Sequence, residues 1–182
     1  MRYPILTTES MSFRQREVAA AIEERSGGGL SGPYAAMLYS PEMADRAQRL
    51  GEFLRCGLRI PERLRILAVL VAVGRHRSED IFAFVSLDSV LNSTLARDKI
   101  QALSKGQPPQ DMTEDEAVVY AFSSELARNG HVKNVTYDML VSKLGREAAL
   151  ELVGVCGYTS MLTNVINITQ SSISRDGVAE LV

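Results

Sequence analysis

Residues 61–74 read PERLRILAVLVAVG and predict a helix that is buried on most of its sides. Pro61 and Glu62 form a start signal, because proline fits the first helical position and an acidic side chain there interacts favourably with the helix dipole. Apolar residues then recur at the spacing of one helical face, at Leu64, Leu67, Ala68 and Val71. Further apolar residues lie between them, so other elements must surround this helix.

The sequence on both sides of this stretch predicts further helices and no convincing strand. Ser12, Ser40-Pro41 and the capping-box pair Thr113 and Glu116 are each typical of a helix start. The main predicted helices cover about residues 13–25, 41–54, 62–73, 96–103, 114–128, 136–145 and 146–168. Another begins at Ser78, and a new segment begins at Gly32. We therefore predict an all-α fold of seven or eight helices.

The composition is that of a globular protein and excludes several classes of partner. A length of 182 residues, of which 46% are hydrophobic and 23% charged, predicts a single domain over residues 1–182 that is stable without a disulfide or a metal. The formal net charge of −2 gives no general attraction to nucleic acid or to an anionic membrane. Tryptophan is absent, which also argues against base stacking. No motif predicts a metal site.

The cysteines and the apolar runs predict a cytoplasmic protein. Cys56 and Cys156 are too far apart in sequence to form a CxxC pair, so we expect two buried thiols in a reducing compartment. Met1 to Ser12 contains no apolar stretch typical of a secretory signal. The longest apolar run, Ile66 to Val73, is too short to span a bilayer, so no membrane partner is expected.

Taken in order, several short motifs resemble the carboxymuconolactone decarboxylase family. They are Gly32-Pro33-Tyr34, Leu38 to Glu42, Leu50 to Arg55, Pro61 to Arg65, Leu67 to Leu70, Arg75-His76, Asp115 to Tyr120 and Leu152 to Asn167. The similarity covers about residues 30–168 and leaves residues 171–182 outside it. The resemblance implies a helical bundle similar to alkylhydroperoxidase D, which assembles as a trimer or hexamer. It also implies acid–base chemistry without a cofactor, in pockets near the subunit contacts.

The chain departs from the family pattern at the residues that should carry the chemistry. Ile66 stands where the family usually has an acidic residue, and Phe82 and Ser86 stand where it has a glutamate and a histidine. The resemblance places these three residues at the pocket. Neither Phe82 nor an unactivated Ser86 titrates near pH 7. Because the CxxC pair of the peroxidase members is also missing, thiol peroxidase activity is not expected.

Other residues near these positions are the candidates for the chemistry. His76 and Glu79 are predicted as catalytic acid–base groups, since a carboxylate one helical turn away can orient an imidazole and raise its pKa. Tyr34 is the third candidate, and Arg75 is predicted to bind a substrate carboxylate. The alternatives are a solvated helix start at Glu79, a packing role for Tyr34, and an ion pair between Arg75 and Glu79.

Two functions follow from this reading. The first is a divergent, cofactor-independent enzyme that catalyses decarboxylation, dehydration or a related lyase or isomerase step. Its substrate would be a small carbonyl acid, a lactone or a polyketide-like compound. The second is a non-catalytic relative that keeps the oligomer and binds a small apolar ligand.

Overall fold

The computed structural model describes residues 2–26, 30, 32–76, 81–82, 85–86 and 94–170. Within these ranges the chain forms helices and no strand, which confirms the all-α prediction. The helices are α1 (Phe13–Ser26), α2 (Gly32–Met37), α3 (Pro41–Cys56), α4 (Glu62–Arg75), α5 (Arg97–Ser104), α6 (Glu114–Asn129) and α7 (Asn134–Thr169). Of the helix predicted to begin at Ser78, only residues 81–82 and 85–86 are described. The tail 171–182 lies outside the described residues.

The chain divides into two compact units. The first comprises Met1–Gly57 and Met161–Val182, and within it α1 and α2 both pack on α3. The second comprises Leu58–Ser160, and within it α4 packs on α5 and α6. The prediction of one domain over the whole chain stays a prediction.

The buried helix predicted from residues 61–74 is α4. Every residue from Leu64 to Leu70 is buried, as are Ala72 and Val73. Arg65 lies within this run, and its guanidinium reaches Glu62 at 3.7 Å. Because α4 packs on both α5 and α6, it forms the centre of the second unit.

The predicted start signals of α1 and α6 are confirmed as reciprocal caps. The Ser12 hydroxyl accepts the backbone N–H of Gln15 at 3.2 Å, while the Gln15 side chain accepts the N–H of Ser12 at 2.8 Å. Thr113 and Glu116 make the same pair of bonds at the start of α6. Each arrangement satisfies donors that have no partner within the helix.

The long helix α7 changes direction at Gly145, as the sequence predicted. Gly145 has φ 86° and ψ 167°, a conformation that residues with a Cβ atom rarely adopt. The predicted cap at Thr136 is wrong, because α7 begins at Asn134. The Thr136 hydroxyl instead donates to Glu125 of α6 at 2.9 Å, which ties the first turn of α7 to α6.

Within the described part of the chain, α7 is also the one helix long and apolar enough to cross a membrane. An 18-residue window of it has a mean hydropathy of 1.3, although polar residues interrupt its apolar ones. Half of that window is buried inside the structure. Because the core helix of a soluble protein meets the same criterion, this is weak evidence for a membrane span.

Candidate functional site

An open cleft of about 420 Å³ lies among α4, α5 and α6 of the second unit. We call it the first cleft. Four lining residues come from α4, four from α6, and three from the end of α5 and the turn after it. They are Leu70, Val71, Gly74, Arg75, Leu103, Gly106, Gln107, Tyr120, Ser124, Ala127 and Arg128.

Helical spacing explains why these residues meet. On α4, Val71, Gly74 and Arg75 are three and four residues apart and therefore lie on one face. On α6, Tyr120, Ser124 and Arg128 repeat every four residues and form one ridge. The packing of α4 on α5 and α6 brings the two faces together around the cleft.

Two arginines dominate the charge of the first cleft. Arg75 and Arg128 both line it, and none of the acidic residues that the structure describes does. Neither guanidinium forms a salt bridge with any residue that the structure describes. A guanidinium without a carboxylate partner keeps its donors available for a planar anion, which it can bind with two parallel hydrogen bonds.

The remaining lining residues suit a small organic acid. Leu70, Val71 and Leu103 provide apolar wall, while the Tyr120 and Ser124 hydroxyls and the Gln107 amide are polar. Binding sites for small molecules commonly combine apolar walls with a few polar groups that orient the ligand. The first cleft can therefore hold a carbon skeleton and a carboxylate together.

His76 directly follows Arg75, the last residue of α4. Its environment favours the neutral imidazole. Partial burial lowers the pKa of His76 below its ordinary value, and the positive charge of Arg75 lowers it further. This is the opposite of the shift expected from a neighbouring carboxylate. A neutral imidazole can accept a proton, as a general base must. His76 follows a lining residue but does not itself line the first cleft.

Among the sequence-predicted pocket residues, Phe82 comes near the first cleft. A Cβ atom added at Gly74 would lie 3.8 Å from the Phe82 ring, so this ring stands beside the cleft wall. Ile66 is 1% exposed and belongs to the core of α4. The Ser86 hydroxyl is buried and has no hydrogen-bond partner among the residues that the structure describes. Neither Ile66 nor Ser86 lines the cleft.

The other two predicted catalytic residues are not placed at this cleft. Tyr34 belongs to the first unit, where its side chain is fully buried in α2. Glu79 lies outside the described residues, so neither its catalytic role nor its pairing with Arg75 is tested. The roles of Tyr34, His76 and Glu79 remain predictions.

Sequence reasoning missed the contribution of α6. Tyr120, Ser124 and Arg128 were not singled out, although their four-residue spacing places them on one helical face. The spacing shows only that they share a face. That this face meets Arg75 depends on how α6 packs on α4, which no local pattern contains.

The two cysteines differ in environment. Cys156 is buried as predicted, and burial raises the pKa of its thiol to about 11, against a smaller opposing effect of the Ser123 hydroxyl. Cys56 is exposed near the end of α3, so the prediction of a buried thiol there is wrong. No cysteine lines the first cleft, and the described residues contain no cluster of three potential metal ligands.

Comparisons with known proteins identify the fold. No family model and no curated protein matches the sequence. A cysteine-to-alanine variant of the debrominase Bmp8, solved in complex with 2,3,4-tribromopyrrole, matches with a TM-score of 0.70 and 18% identity. The match covers 100% of this chain and 95% of that one. The apo debrominase matches with a TM-score of 0.65 and 17% identity, over 100% and 96% of the two chains. At such identity the likeness shows the fold alone.

Proposed function

We propose that this protein is a cofactor-independent enzyme, related to the carboxymuconolactone decarboxylases, that acts by acid–base chemistry. Its substrate is a small carbonyl acid, a lactone acid or a polyketide-like acid. The observation that carries this proposal is the pair Arg75 and Arg128, which line one cleft without a carboxylate partner among the described residues. The fold shared with a solved debrominase is compatible with an enzyme.

In this proposal the arginines hold the acid group of the substrate. Either guanidinium can bind a carboxylate through two parallel hydrogen bonds, which fixes its orientation as well as its position. The carbon skeleton then lies against Leu70, Val71 and Leu103. Removal of the ligand's own apolar surface from water adds to the affinity.

The chemistry needs a stabilised anion and a proton transfer. Loss of CO2 from a carbonyl acid, or removal of the proton next to its carbonyl before hydroxide leaves, puts negative charge on the carbonyl oxygen, and positive side chains already in place stabilise such charge. A neutral His76 or the Tyr120 hydroxyl then moves the proton. Glu79 lies outside the described residues and remains a further candidate for this transfer. We also propose a cytoplasmic location, in line with the sequence.

The solved debrominase complex invites a comparison of chemistry. That complex was obtained with a cysteine-to-alanine variant, whereas here no cysteine lines the first cleft. Cys156 carries a thiol whose pKa is raised to about 11, which disfavours the reactive thiolate. Debromination is therefore not proposed for this chain.

Removal of each arginine tests the proposal. We expect Arg75→Gln and Arg128→Gln to weaken the binding of small carbonyl acids by at least about tenfold, the size expected for losing a charge-assisted hydrogen bond. Arg97→Gln is the matched control, because Arg97 is exposed on α5 in the same unit and does not line the cleft. Isothermal titration measures the affinity, and proton NMR of the same mixtures follows turnover.

The alternative function makes a different prediction. A non-catalytic relative is favoured by Ile66, Phe82 and Ser86, which replace titratable groups of the family. Such a protein would bind apolar ligands, and its affinities would not depend on Arg75 or Arg128. Acid binding that is absent, or equal in the wild type and both arginine variants, would favour this alternative and overturn the enzyme proposal.

A further inference from the structure

A second cleft, of about 470 Å³, lies on the other side of the α6 ridge. The two clefts share Tyr120, Ser124 and Arg128, so the same helical ridge borders both. The other residues of the second cleft come from the turn before α6, from α6 itself and from the turn after it. They are Pro108, Ala121, Glu125, Asn129 and Lys133.

The second cleft carries its own cation. Lys133 lines it, and the Lys133 ammonium forms no salt bridge with a described residue. Glu125 is the one acidic residue among the described lining groups, and its carboxylate already accepts two hydrogen bonds. They come from the backbone N–H of Lys133 at 2.9 Å and from the Thr136 hydroxyl at 2.9 Å. The charged residues that line the second cleft are therefore two cations, Lys133 and Arg128, and one anion, Glu125.

We propose that the two clefts form one bipartite site for an elongated acid with an anionic group at each end. Arg75 binds one end in the first cleft, Lys133 binds the other in the second cleft, and Arg128 stands between them on the shared ridge. This inference rests on the proposed function, because the first cleft is its acid-binding site. It adds that the substrate carries a second anionic group, which lies in the second cleft.

The charge of the second cleft favours a carboxylate over a phosphate as the distal group. Both anions can be bound by Lys133 and Arg128. Lys133, Arg128 and Glu125 together leave one net positive charge, which a singly charged carboxylate balances, whereas a phosphate with about two negative charges leaves an excess negative charge beside the ionised Glu125. The expected ligand class is therefore a long-chain dicarboxylic acid.

A length series of acids tests this site. Isothermal titration compares succinate, adipate, suberate and sebacate with butyrate, hexanoate, octanoate and decanoate. We expect the longer dicarboxylates to bind about tenfold or more tightly than monocarboxylates of equal length, with no such advantage for succinate. Lys133→Gln should remove this advantage, so that dicarboxylates bind no more tightly than monocarboxylates of equal length. Arg75→Gln should weaken both kinds of acid.

Two controls distinguish loss of the binding site from loss of the folded structure. Lys105→Gln removes an exposed lysine that lines neither cleft, and it should bind all the acids as the wild type does. Because the hydrogen bond from Lys133 to Glu125 uses the backbone, it survives in Lys133→Gln. Thermal unfolding of this variant should therefore match that of the wild type.

The outcomes distinguish this inference from the proposed function. If monocarboxylates bind in an Arg75-dependent manner, but the affinity for dicarboxylates rises neither with their length nor with the presence of Lys133, the bipartite site is wrong. The acid-binding role proposed for the first cleft is then retained. If no acid binds in an Arg75-dependent manner, both fail. If a ω-phosphorylated hexanoate binds more tightly than suberate, the carboxylate assignment of the second cleft is overturned.

Discussion

Cys56 and Cys156 show how far two identical residues can differ in reactivity. Cys56 is exposed, whereas Cys156 is buried with its thiol pKa raised to about 11. At pH 8 a thiol with that pKa is ionised to only about one part in a thousand, and the thiolate is the reactive form. We expect one thiol per chain to react with Ellman's reagent in the folded protein and two in guanidinium chloride.

The variants Cys56→Ser and Cys156→Ser assign that reaction. Cys56→Ser should abolish the labelling of the folded protein, while Cys156→Ser should leave it intact. Rapid labelling of Cys156 in folded Cys56→Ser would contradict the burial of this thiol. The sequence could not separate the two residues, because a lone cysteine carries no local signal of exposure.

Lys99 and Glu116 form a buried contact between α5 and α6. The Lys99 ammonium lies 2.6 Å from the Glu116 carboxylate, with side-chain exposures of 13% and 5%. The same carboxylate accepts the backbone N–H of Thr113 at 2.8 Å. Because loss of one partner leaves a buried charge without its counter-ion, we expect Lys99→Met to lower the free energy of unfolding by about 3 kcal/mol. Urea denaturation at pH 7 measures this loss.

The same ion pair gives a pH dependence with a defined sign. Burial raises the pKa of Glu116, but the hydrogen bonds from Lys99 and Thr113 outweigh it, so the pKa lies below its ordinary value of 4.5. Its contribution to stability is therefore complete above about pH 4.5 and falls as the pH drops further. The Lys99→Met variant should lose less stability on acidification than the wild type. Parallel acid titration curves would contradict this assignment.

At the scale of the helix, Gly145 permits the bend in α7. Its φ of 86° and ψ of 167° are strained for any residue with a Cβ atom, although no neighbouring atom would clash with one. We expect Gly145→Ala to lower the free energy of unfolding by about 1–3 kcal/mol through backbone strain alone. The control is Gly157→Ala on the same helix, where no atom lies within 4 Å of an added Cβ.

Gly157→Ala should have the opposite effect on stability. Gly157 has an ordinary helical backbone, and alanine is favoured over glycine there by up to about 1 kcal/mol. Chemical denaturation of the two variants and the wild type gives both differences directly. Equal stabilities of Gly145→Ala and the wild type would mean that the bend is not fixed by this residue.

Helix boundaries were largely predictable from sequence, whereas the site was predictable only in part. The caps at Ser12 and Thr113 and the bend at Gly145 depend on residues a few positions apart, so local patterns contain them. Arg75 was predicted to bind an acid and does line the first cleft. Its partner Arg128 was missed, because their proximity depends on the packing of α6 against α4. The role of Thr136 was missed for the same reason, because its hydroxyl donates a hydrogen bond to Glu125 on another helix.

At the scale of the whole molecule, the exposed apolar side chains bear on assembly. Within the second unit, Leu150 is 75% exposed and Val153, one turn later on α7, is 44% exposed. Leucine and valine three residues apart share a helical face, and an exposed apolar patch can mark a protein contact surface. Following the resemblance, we propose that this face of α7 takes part in a trimer or hexamer.

Native mass spectrometry of protein purified without added ligand tests the assembly. We expect a trimer or hexamer in the wild type, and dissociation in Leu150→Glu, because burial of an unpaired carboxylate at a contact between subunits costs several kcal/mol. Ser142→Glu is the matched control, since it adds the same charge at an exposed polar position of α7. A monomeric wild type would refute the oligomer, whereas an oligomer that withstands Leu150→Glu would place the contact on another face. A small molecule retained in the spectrum would further give a mass to compare with the long-chain acids proposed for the two clefts.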